Sequence, residues 1–364
     1  MHEIELKFGL PVAQLDAVRA ELARLGADIA RPQILQAAYF DTPDRRLAQA
    51  RAALRVRRED DEWVQTFKSA GLNTMVRVED NQPATPPASS AQGSADGEAL
   101  RPDLSRHQQA ARQVLMQALG WQPERDPPGH HSGLMALYRT DMRRTRARLT
   151  VAEGTPHEGM VELALDEGAI LAGEGPQQRC EAVCELEIEL LSGAPQAVIL
   201  AANAWVDRFG LWLDTQTKAH RGDRLARQVL PMPEHADKPT EATNRPTTTD
   251  ASCDSGSTPP TPWPIALESA LGRYTRVMSA LASPSGPIAP DTVLSWRDAS
   301  HAIAAVAHTE SAQPWAHDLA AQAETLAQRM AASEPNQPEM LTALARSADA
   351  TRLALAVFTV LLAA

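Results

Sequence analysis

Polar and apolar residues alternate singly through eight short stretches of the first 230 residues, the period of a strand with one face in a core. HEIELKF at 2–8 places Glu3, Glu5 and Lys7 on one face and Ile4, Leu6 and Phe8 on the other. LQAAYFDT (35–42), AALRVRRE (52–59), EWVQTFKS (62–69), TMVRVED (74–80), RRTRARLTV (143–151), GMVELALDEGAI (159–170) and VCELEIELL (183–191) read the same way. Short polar or glycine-containing turns join the early strands, as in an antiparallel meander. Helical spacing runs through 11–25, with Pro11 suited to its start and Gly26 to its stop, and again through 103–119 and about 194–209. Residues 81–99 are rich in Pro, Ser and Gly and read as a surface insertion; 231–264, rich in Pro, Thr and Ser, reads as a flexible linker. From 265 onward Ala and Leu recur at helical spacing over 265–282, 292–308, 315–332 and 338–362, which predicts an all-helical region.

The polar strand faces carry an unusual load. Arg55 and Arg57 oppose Leu54 and Val56; Lys68 follows Val64 and Thr66; Arg77 and Glu79 oppose Val76 and Val78. Further on, Arg144, Arg146 and Arg148 oppose Ala147 and Leu149, Glu162 and Asp166 oppose Val161, Leu163 and Leu165, and Glu185, Glu187 and Glu189 oppose Leu186, Ile188 and Leu190. A half-solvated sheet mixes Thr, Ser and Gln into its wet face, whereas these faces are charged and sorted by sign. If the apolar faces pack outward against helices and the sheet closes, the charges line one interior. That interior must be wet and hold ions, because unpaired buried charges are prohibitively costly. Arginine and lysine clusters suit phosphate oxygens and grouped carboxylates suit a hard divalent cation, so together they point to a metal-bound polyphosphate.

Composition narrows the partners. The 364 residues are 43% hydrophobic, enough for a globular core, and the net charge of −11 argues against a general nucleic-acid or anionic-membrane binder. Three cysteines, Cys180, Cys184 and Cys253, make neither a disulfide framework nor a zinc site. The opening MHEIELKF lacks the regions of a signal peptide, and the apolar run at 353–364 is too short to span a bilayer, so a soluble, cytoplasmic protein is expected. Only four of the 35 basic residues are lysines, at 7, 68, 218 and 238; three of them fall in the motifs described here. Where arginine is the default, a retained lysine points to a need for a compact ammonium. Tyr39 and Phe40 read as packing residues, Cys184 as a small buried thiol, and His130 and His131 as loop residues; Asp41 fits either a turn or an interior acid.

EIELK (3–7), YFDTPDRRL (39–47), ALRVRRE (53–59), WVQTFK (63–68) and CELEIELLSG (184–193) resemble the CYTH family, the triphosphate tunnel metalloenzymes, and specifically its bacterial inorganic triphosphatase branch. TKAHRGDRL (217–225) resembles that branch's closing Lys–Arg motif, so the likeness covers residues 1 to about 228 in order. It implies an α+β fold: an eight-stranded antiparallel β-barrel tunnel with surrounding helices over 1–230, followed by the linker and an all-α region over 265–364. It also implies Mg²⁺ or Mn²⁺ held by Glu3, Glu5, Glu185, Glu187 and Glu189, with Glu79, Glu162 and Asp166 as further acidic positions. Lys7, Arg55, Arg57, Lys68, Arg77, Arg144, Arg146, Lys218 and Arg221 would bind phosphate oxygens, and Glu5, Glu187 and Lys7 would form the catalytic group. The implied activity is hydrolysis of inorganic triphosphate to pyrophosphate and phosphate. Alternatives are a class IV adenylate cyclase, a thiamine triphosphatase, or a noncatalytic polyphosphate-binding module; the expected partner throughout is a triphosphate-containing small molecule. Two positions depart from the family pattern: Asp80–Asn81 after Glu79, and Asp223 where a tyrosine often stands. In the branch a basic helical CHAD domain often follows the tunnel, and the position of 265–364 after a linker fits a diverged relative of it; the region contains no lysine, six arginines and nine acids, so no polyphosphate-binding role is assigned to it.

Overall fold

The computed structural model describes residues 2–69, 76–85, 100–230, 262–283, 288–332 and 338–364, with only the backbone described at 2, 3 and 76–78. Of the insertion expected at 81–99, residues 81–83 belong to a strand and 86–99 lie outside the described residues; of the linker expected at 231–264, residues 231–261 lie outside them and 263–264 open a helix. In chain order the elements are β1 (His2–Gly9), α1 (Leu15–Arg24), β2 (Gln33–Asp41), α2 (Arg46–Gln49), β3 (Ala52–Glu59), β4 (Glu62–Ser69), β5 (Val76–Pro83) and α3 (Gln109–Leu119). Then follow β6 (Met135–Val151), β7 (Gly159–Ala172), β8 (Arg179–Gly193), α4 (Gln196–Phe209), β9 (Trp212–Leu213) and α5 (Lys218–Ala226). The helical region comprises α6 (Trp263–Ala282), α7 (Pro290–Thr309), α8 (Ala316–Ala332), α9 (Pro338–Ala345) and α10 (Ala348–Leu362).

All strand pairs are antiparallel, in the order β5-β4-β3-β2-β6-β7-β8-β1-β9. The free edge of β1 is divided. Its first residues pair with β5, as His2↔Val78, Glu3↔Arg77 and Ile4↔Val76, which joins the ends of the eight long strands into a ring. Its last residues, Phe8 and Gly9, pair with Leu213 and Trp212 of β9, a two-residue strand that the alternation did not predict. Gly9 is required at this junction: a Cβ there would lie 2.3 Å from Cε2 of the Trp212 ring.

The apolar strand faces point outward, as expected. Phe40, Leu54, Val56 and Phe67 pack under α3 through Leu115 and Leu119. Leu6, Phe8, Leu163, Leu165, Leu186 and Ile188 pack under α4 through Val198, Ala202 and Val206. Helix α4 is buried on more than one side, since the same core continues through Trp205 and Phe209 into Leu271, Tyr274, Leu353 and Phe358 of the helical region. Each large side chain so buried contributes about 1.5–3 kcal/mol relative to exposure. Several helix boundaries differ from the sequence reading: the helix expected over 11–25 covers Leu15–Arg24, and that expected over 103–119 begins at Gln109, after a short turn at Leu104–Arg106. The stretch at 338–362 is broken at Ser347, whose hydroxyl accepts from Ala350 N–H and caps α10. The closing motif at 217–225, for which no element was expected, runs through α5, capped by the Thr217 hydroxyl accepting from His220 N–H.

One end of the interior departs from the all-charged expectation. Leu35, Ala37, Tyr39, Tyr138, Met142, Ile170, Ala172 and Val183 gather there against Leu225 and Ala226 of α5. Gly222 lets the helix approach: a Cβ at that position would meet the Tyr138 ring at 2.2 Å. The helix therefore stoppers that end with apolar contacts and aims its polar face, Lys218 and Arg221, at the charges beyond.

Candidate functional site

Register brings the charged positions together in rungs, because directly paired residues share a face. Glu5 pairs with Glu189, which pairs with Glu162, which pairs with Arg148. The next rung is Lys7, Glu187, Ala164 and Arg146; the next, Gly9, Glu185, Asp166 and Arg144. Across the interior, Tyr39 faces Arg55 and Thr66, Ala37 faces Arg57 and Val64, and Lys68 faces Glu79. The backbone sets Glu3 opposite Arg77; their side chains lie outside the description.

The middle of the interior is a compact ion network. Lys7 Nζ lies 3.2 Å from Glu185 Oε2 and 3.3 Å from Asp214 Oδ2, and it donates to the Gln216 carbonyl at 2.6 Å. Lys218 Nζ reaches Asp166 at 2.7 Å, Glu187 at 3.0 Å, and Glu185. Arg144 donates from Nε and Nη2 to the two Asp166 oxygens, each at 2.6 Å, and from Nη2 to Glu187 at 2.5 Å. At the stoppered end Arg221 donates to Glu181 at 2.7 Å and to the Ala182 carbonyl at 2.7 Å. Burial alone would raise the Asp166 and Glu187 carboxyls, but Lys218 and Arg144 outweigh it and hold Asp166 below, and Glu187 well below, the usual carboxylate range. Burial would likewise lower Lys218, yet Asp166, Glu185 and Glu187 keep its ammonium well above the usual lysine range.

Two flanking regions are unbalanced. Arg57 is pulled down to about 10, first by burial and then by Arg55 and Arg144, despite its pairing with Glu59. Beside it, Arg55 has a buried Nε with no hydrogen-bond partner among the described residues, and its Nη1 donates to the Tyr39 hydroxyl at 3.3 Å. Toward the other mouth, Glu189 is raised by burial and then by Glu5 and Glu162. Excess positive charge thus faces one part of the interior and excess negative charge another.

A divalent cation has two acidic groups to choose from. Asp166, Glu185 and Glu187 offer oxygens all within 4.8 Å of one another, a spacing that could hold a metal ion. Those same carboxylates are neutralised by Lys7, Lys218 and Arg144, so a cation there has to displace an ammonium or guanidinium. The Glu5, Glu162 and Glu189 group fits a hard cation electrostatically, because burial and the neighbouring Glu5 and Glu162 carboxylates raise Glu189.

Several residues fall where sequence reasoning had not put them. Arg146 pairs with Glu162 at 3.3 Å with its side chain about 40% exposed, so it sits at a mouth of the interior. Asp41 is a turn residue: its carboxylate accepts from the N–H groups of Thr42, Leu47 and Ala48. Tyr39 packs, as read, stacked on Tyr138 at 4.8 Å, but it also receives Arg55. Asp223 takes up the buried Arg45 at 2.9 Å, which accounts locally for an acid at that position. Asp80 faces away from the interior and holds His107 at 3.0 Å, while Asn81 joins Thr66 inside. Glu181, Asp214 and Gln216 were missed. Glu181 continues the parity of Glu185 and Glu187 but lies before the predicted strand start; Asp214 and Gln216 occupy a connector with no periodicity to betray them.

A ring of strands with outward apolar faces and an interior of sign-sorted acids and bases defines a β-fold suited to holding a polyanion and a cation together. Residues 1–222 match the CYTH domain, and the chain belongs to the CYTH family. Its members act on triphosphate-containing substrates and are metal-dependent. Similar solved structures include a Bacillus halodurans protein described as a candidate adenylate cyclase, 17% identical over 56% of this chain and 88% of that one, with a TM-score of 0.33. A Hippeastrum protein described as a candidate adenylyl cyclase with a dominant triphosphatase activity is 20% identical over 58% and 89%, at 0.32. A Pyrococcus horikoshii protein is 19% identical over 59% and 94%, at 0.33. The family assignment rests on the domain match, not on these distant likenesses. Among the described residues no helix is long and apolar enough to cross a membrane.

Proposed function

We propose that the chain is a metal-dependent triphosphatase that hydrolyses inorganic triphosphate to pyrophosphate and phosphate. The observation that carries this reading is the Arg55–Arg57 pair: one guanidinium whose buried Nε has no hydrogen-bond partner among the described residues, the other depressed to about 10 by burial and by its cationic neighbours. Burial at Arg55 is outweighed by Tyr39 and Glu79, and Glu59 pairs with Arg57, yet the two guanidiniums keep donors to spare, and a triphosphate supplies several anionic oxygens on one chain. Phosphoryl transfer asks little covalent chemistry of a protein, only positioning and neutralisation of spread negative charge. Lys68, Arg77, Arg144, Arg146, Lys218 and Arg221 join Arg55, Arg57 and Lys7 in that work.

Glu3, Glu5, Glu185, Glu187 and Glu189 hold Mg²⁺ or Mn²⁺ in this reading, with Glu79, Glu162 and Asp166 completing the acidic field. A bound divalent ion supplies charge neutralisation and Lewis acidity at the phosphate oxygens. Glu5 and Glu187 orient a water whose oxygen forms a bond to the terminal phosphorus as the bridging P–O bond breaks. Pyrophosphate leaves, and the proton of the attacking water passes to a carboxylate. No side-chain nucleophile is involved. Inorganic triphosphate is favoured over a nucleotide because the interior aromatic pair is spent on itself: Tyr39 and Tyr138 stack together, and the Tyr138 hydroxyl donates to the Ala219 carbonyl at 3.0 Å.

The test is phosphate release from the purified chain given inorganic triphosphate, ATP or thiamine triphosphate with Mg²⁺ or Mn²⁺, beside Glu5→Ala. Preferential triphosphate turnover, lost in Glu5→Ala, is the expected result. Metal-dependent triphosphate binding without turnover of any of the three would make the interior a binding module and overturn the hydrolytic mechanism.

A further inference from the structure

Among the described residues a short segment, 213–217, which runs from β9 into α5, touches both the helical region and the charged interior. On its interior side this segment holds the first lysine of the site: Asp214 N–H donates to the Lys7 carbonyl at 2.9 Å, Asp214 Oδ2 lies 3.3 Å from Lys7 Nζ, and the Gln216 carbonyl accepts from Lys7 Nζ at 2.6 Å. It also caps the helix that carries Lys218 and Arg221.

On its outer side the same segment is held by hydroxyls of the helical region. Thr215 N–H donates to Ser279 Oγ at 2.8 Å, and Leu213 N–H donates to Thr351 Oγ1 at 3.1 Å. Gln216 Nε2 donates to the Ser279 carbonyl at 2.8 Å, while Gln216 Oε1 accepts from Arg224 of α5 at 3.0 Å. Ser279 and Thr351 are completely buried, on helix faces that are largely apolar apart from the bonded hydroxyls of Tyr274 and Thr275. A buried hydroxyl on such a face is costly unless it is bonded, and the Ser279 hydroxyl, which itself donates to the Thr275 carbonyl, accepts from the connector. Lysine is the flexible cation, and a long side chain contributes to phosphate recognition only if its backbone and its resting partners are fixed.

We infer that α6 and α10 are a brace for the site, with Ser279 and Thr351 as positioning residues that fix 213–217 and through it the ammonium groups of Lys7 and Lys218. This gives the helical region a part in the reaction without any contact with substrate, and its consequence for turnover rests on the proposed triphosphatase reading. It holds whether or not that region binds anything of its own.

Four lysines in the whole chain make the test direct. The full-length protein and its Ser279→Ala, Ser279→Thr, Thr351→Val and Thr351→Ser variants are treated with limiting acetic anhydride, and acylation at each lysine is followed by mass spectrometry. Ser279→Ala and Thr351→Val remove an acceptor, Ser279→Thr and Thr351→Ser retain one, and Lys68 on β4, across the interior, is the internal reference. The expected result is acylation of Lys7 and Lys218 about tenfold faster, relative to Lys68, in Ser279→Ala and Thr351→Val, with parental rates in the two hydroxyl-retaining variants. Triphosphate kcat/KM, measured in parallel, is expected to fall about tenfold in the first two variants only. Unchanged Lys7 and Lys218 rates in Ser279→Ala and Thr351→Val, at whatever melting temperature, would overturn the brace. Changed rates in a parent that turns over no triphosphate would support the brace and reject the triphosphatase reading instead.

Discussion

Replacing Arg144 by Met in the metal-free protein is the sharpest probe of the interior network. Arg144 gives Asp166 two hydrogen bonds of 2.6 Å and Glu187 one of 2.5 Å, and Asp166 is only 1% exposed. Its removal leaves Lys218 to neutralise both carboxylates. Breaking a buried pair by deleting one partner costs roughly 3–5 kcal/mol, most of it the burden of the orphaned charge. In a chain of this size that corresponds to a fall in Tm on the order of 4–7 °C. The double variant Arg144→Met/Asp166→Asn orphans less charge and is expected to recover part of the loss, with a coupling energy of about 1.5–3 kcal/mol. The pH dependence carries a definite sign. In the parent, Asp166 and Glu187 are held below their ordinary range, so the stability they contribute is complete above the ordinary carboxylate pKa of about 4 and is lost as pH falls through the lowered values. In Arg144→Met the burial that Arg144 had outweighed pushes the same carboxyls upward, so protonation relieves the folded state. The stability gap between parent and variant should therefore narrow as pH is lowered from about 7 to about 4. Urea unfolding followed by circular dichroism across that range measures it. A loss under about 1 kcal/mol, or a gap independent of pH, would refute the claim that these buried carboxylates depend on Arg144.

Arg55→Met should raise KM for triphosphate about 10–100-fold, the loss of charged hydrogen bonds worth roughly 1.5–3 kcal/mol, while leaving the Tm of the ligand-free protein nearly unchanged; steady-state kinetics beside a thermal melt checks both halves. Gly222→Ala should drive a methyl into the Tyr138 ring and lift α5, at a cost of about 1–3 kcal/mol and with loss of triphosphate turnover; Gly272→Ala, where a Cβ meets nothing within 4 Å, is the control and should be neutral or slightly stabilising in the same melts. His107 is lowered by burial, despite Asp80 beside it, so the fold favours its neutral form. Its contribution to stability is complete above the ordinary value of about 6.5 and declines as pH falls toward the lowered folded value, a decline that should be absent from melts of His107→Gln.

The strand faces were legible because alternation of period two survives in the sequence wherever one face is buried, and the charged faces of the long strands followed from it, except Glu181, which precedes the expected start of its strand. The same rule concealed what breaks it. At the stoppered end Ala37, Ile170 and Val183 are apolar on the interior face, so their strands read there as continuous apolar runs, and the presence of α5 inside the ring has no local signature. Strand β9 is two residues long and exists because the edge of β1 beyond Ile4 is left open by β5; no propensity of Trp212 and Leu213 announces that. Asp41 was ambiguous because a carboxylate that accepts three backbone N–H groups and one that faces an ion share the same residue and the same strand end. The buried hydroxyls of Thr275 and Ser279 went unread: they stand four residues apart on a largely apolar helix face, and nothing local marks a partner about sixty residues away.

The resting arrangement bears on how the interior would accept its ligand. Lys7, Lys218 and Arg144 are not idle cations awaiting phosphate; each is engaged by Asp166, Glu185 or Glu187. On the proposed function a triphosphate recruits them only by drawing them off those acids, which leaves carboxylates buried and uncompensated. A divalent cation beside the same strands supplies the missing charge, just as phosphate oxygens supply what Arg55 and Arg57 lack. Each ligand thus lowers the electrostatic cost of admitting the other, and by thermodynamic linkage the factor by which the cation tightens triphosphate binding equals the factor by which triphosphate tightens the cation. The acids that look like a ready metal site and the cations that look like a ready phosphate site are, without ligand, each other's counterions. That reciprocity keeps so charged an interior foldable when empty, and it favours admitting both ligands together over admitting either alone.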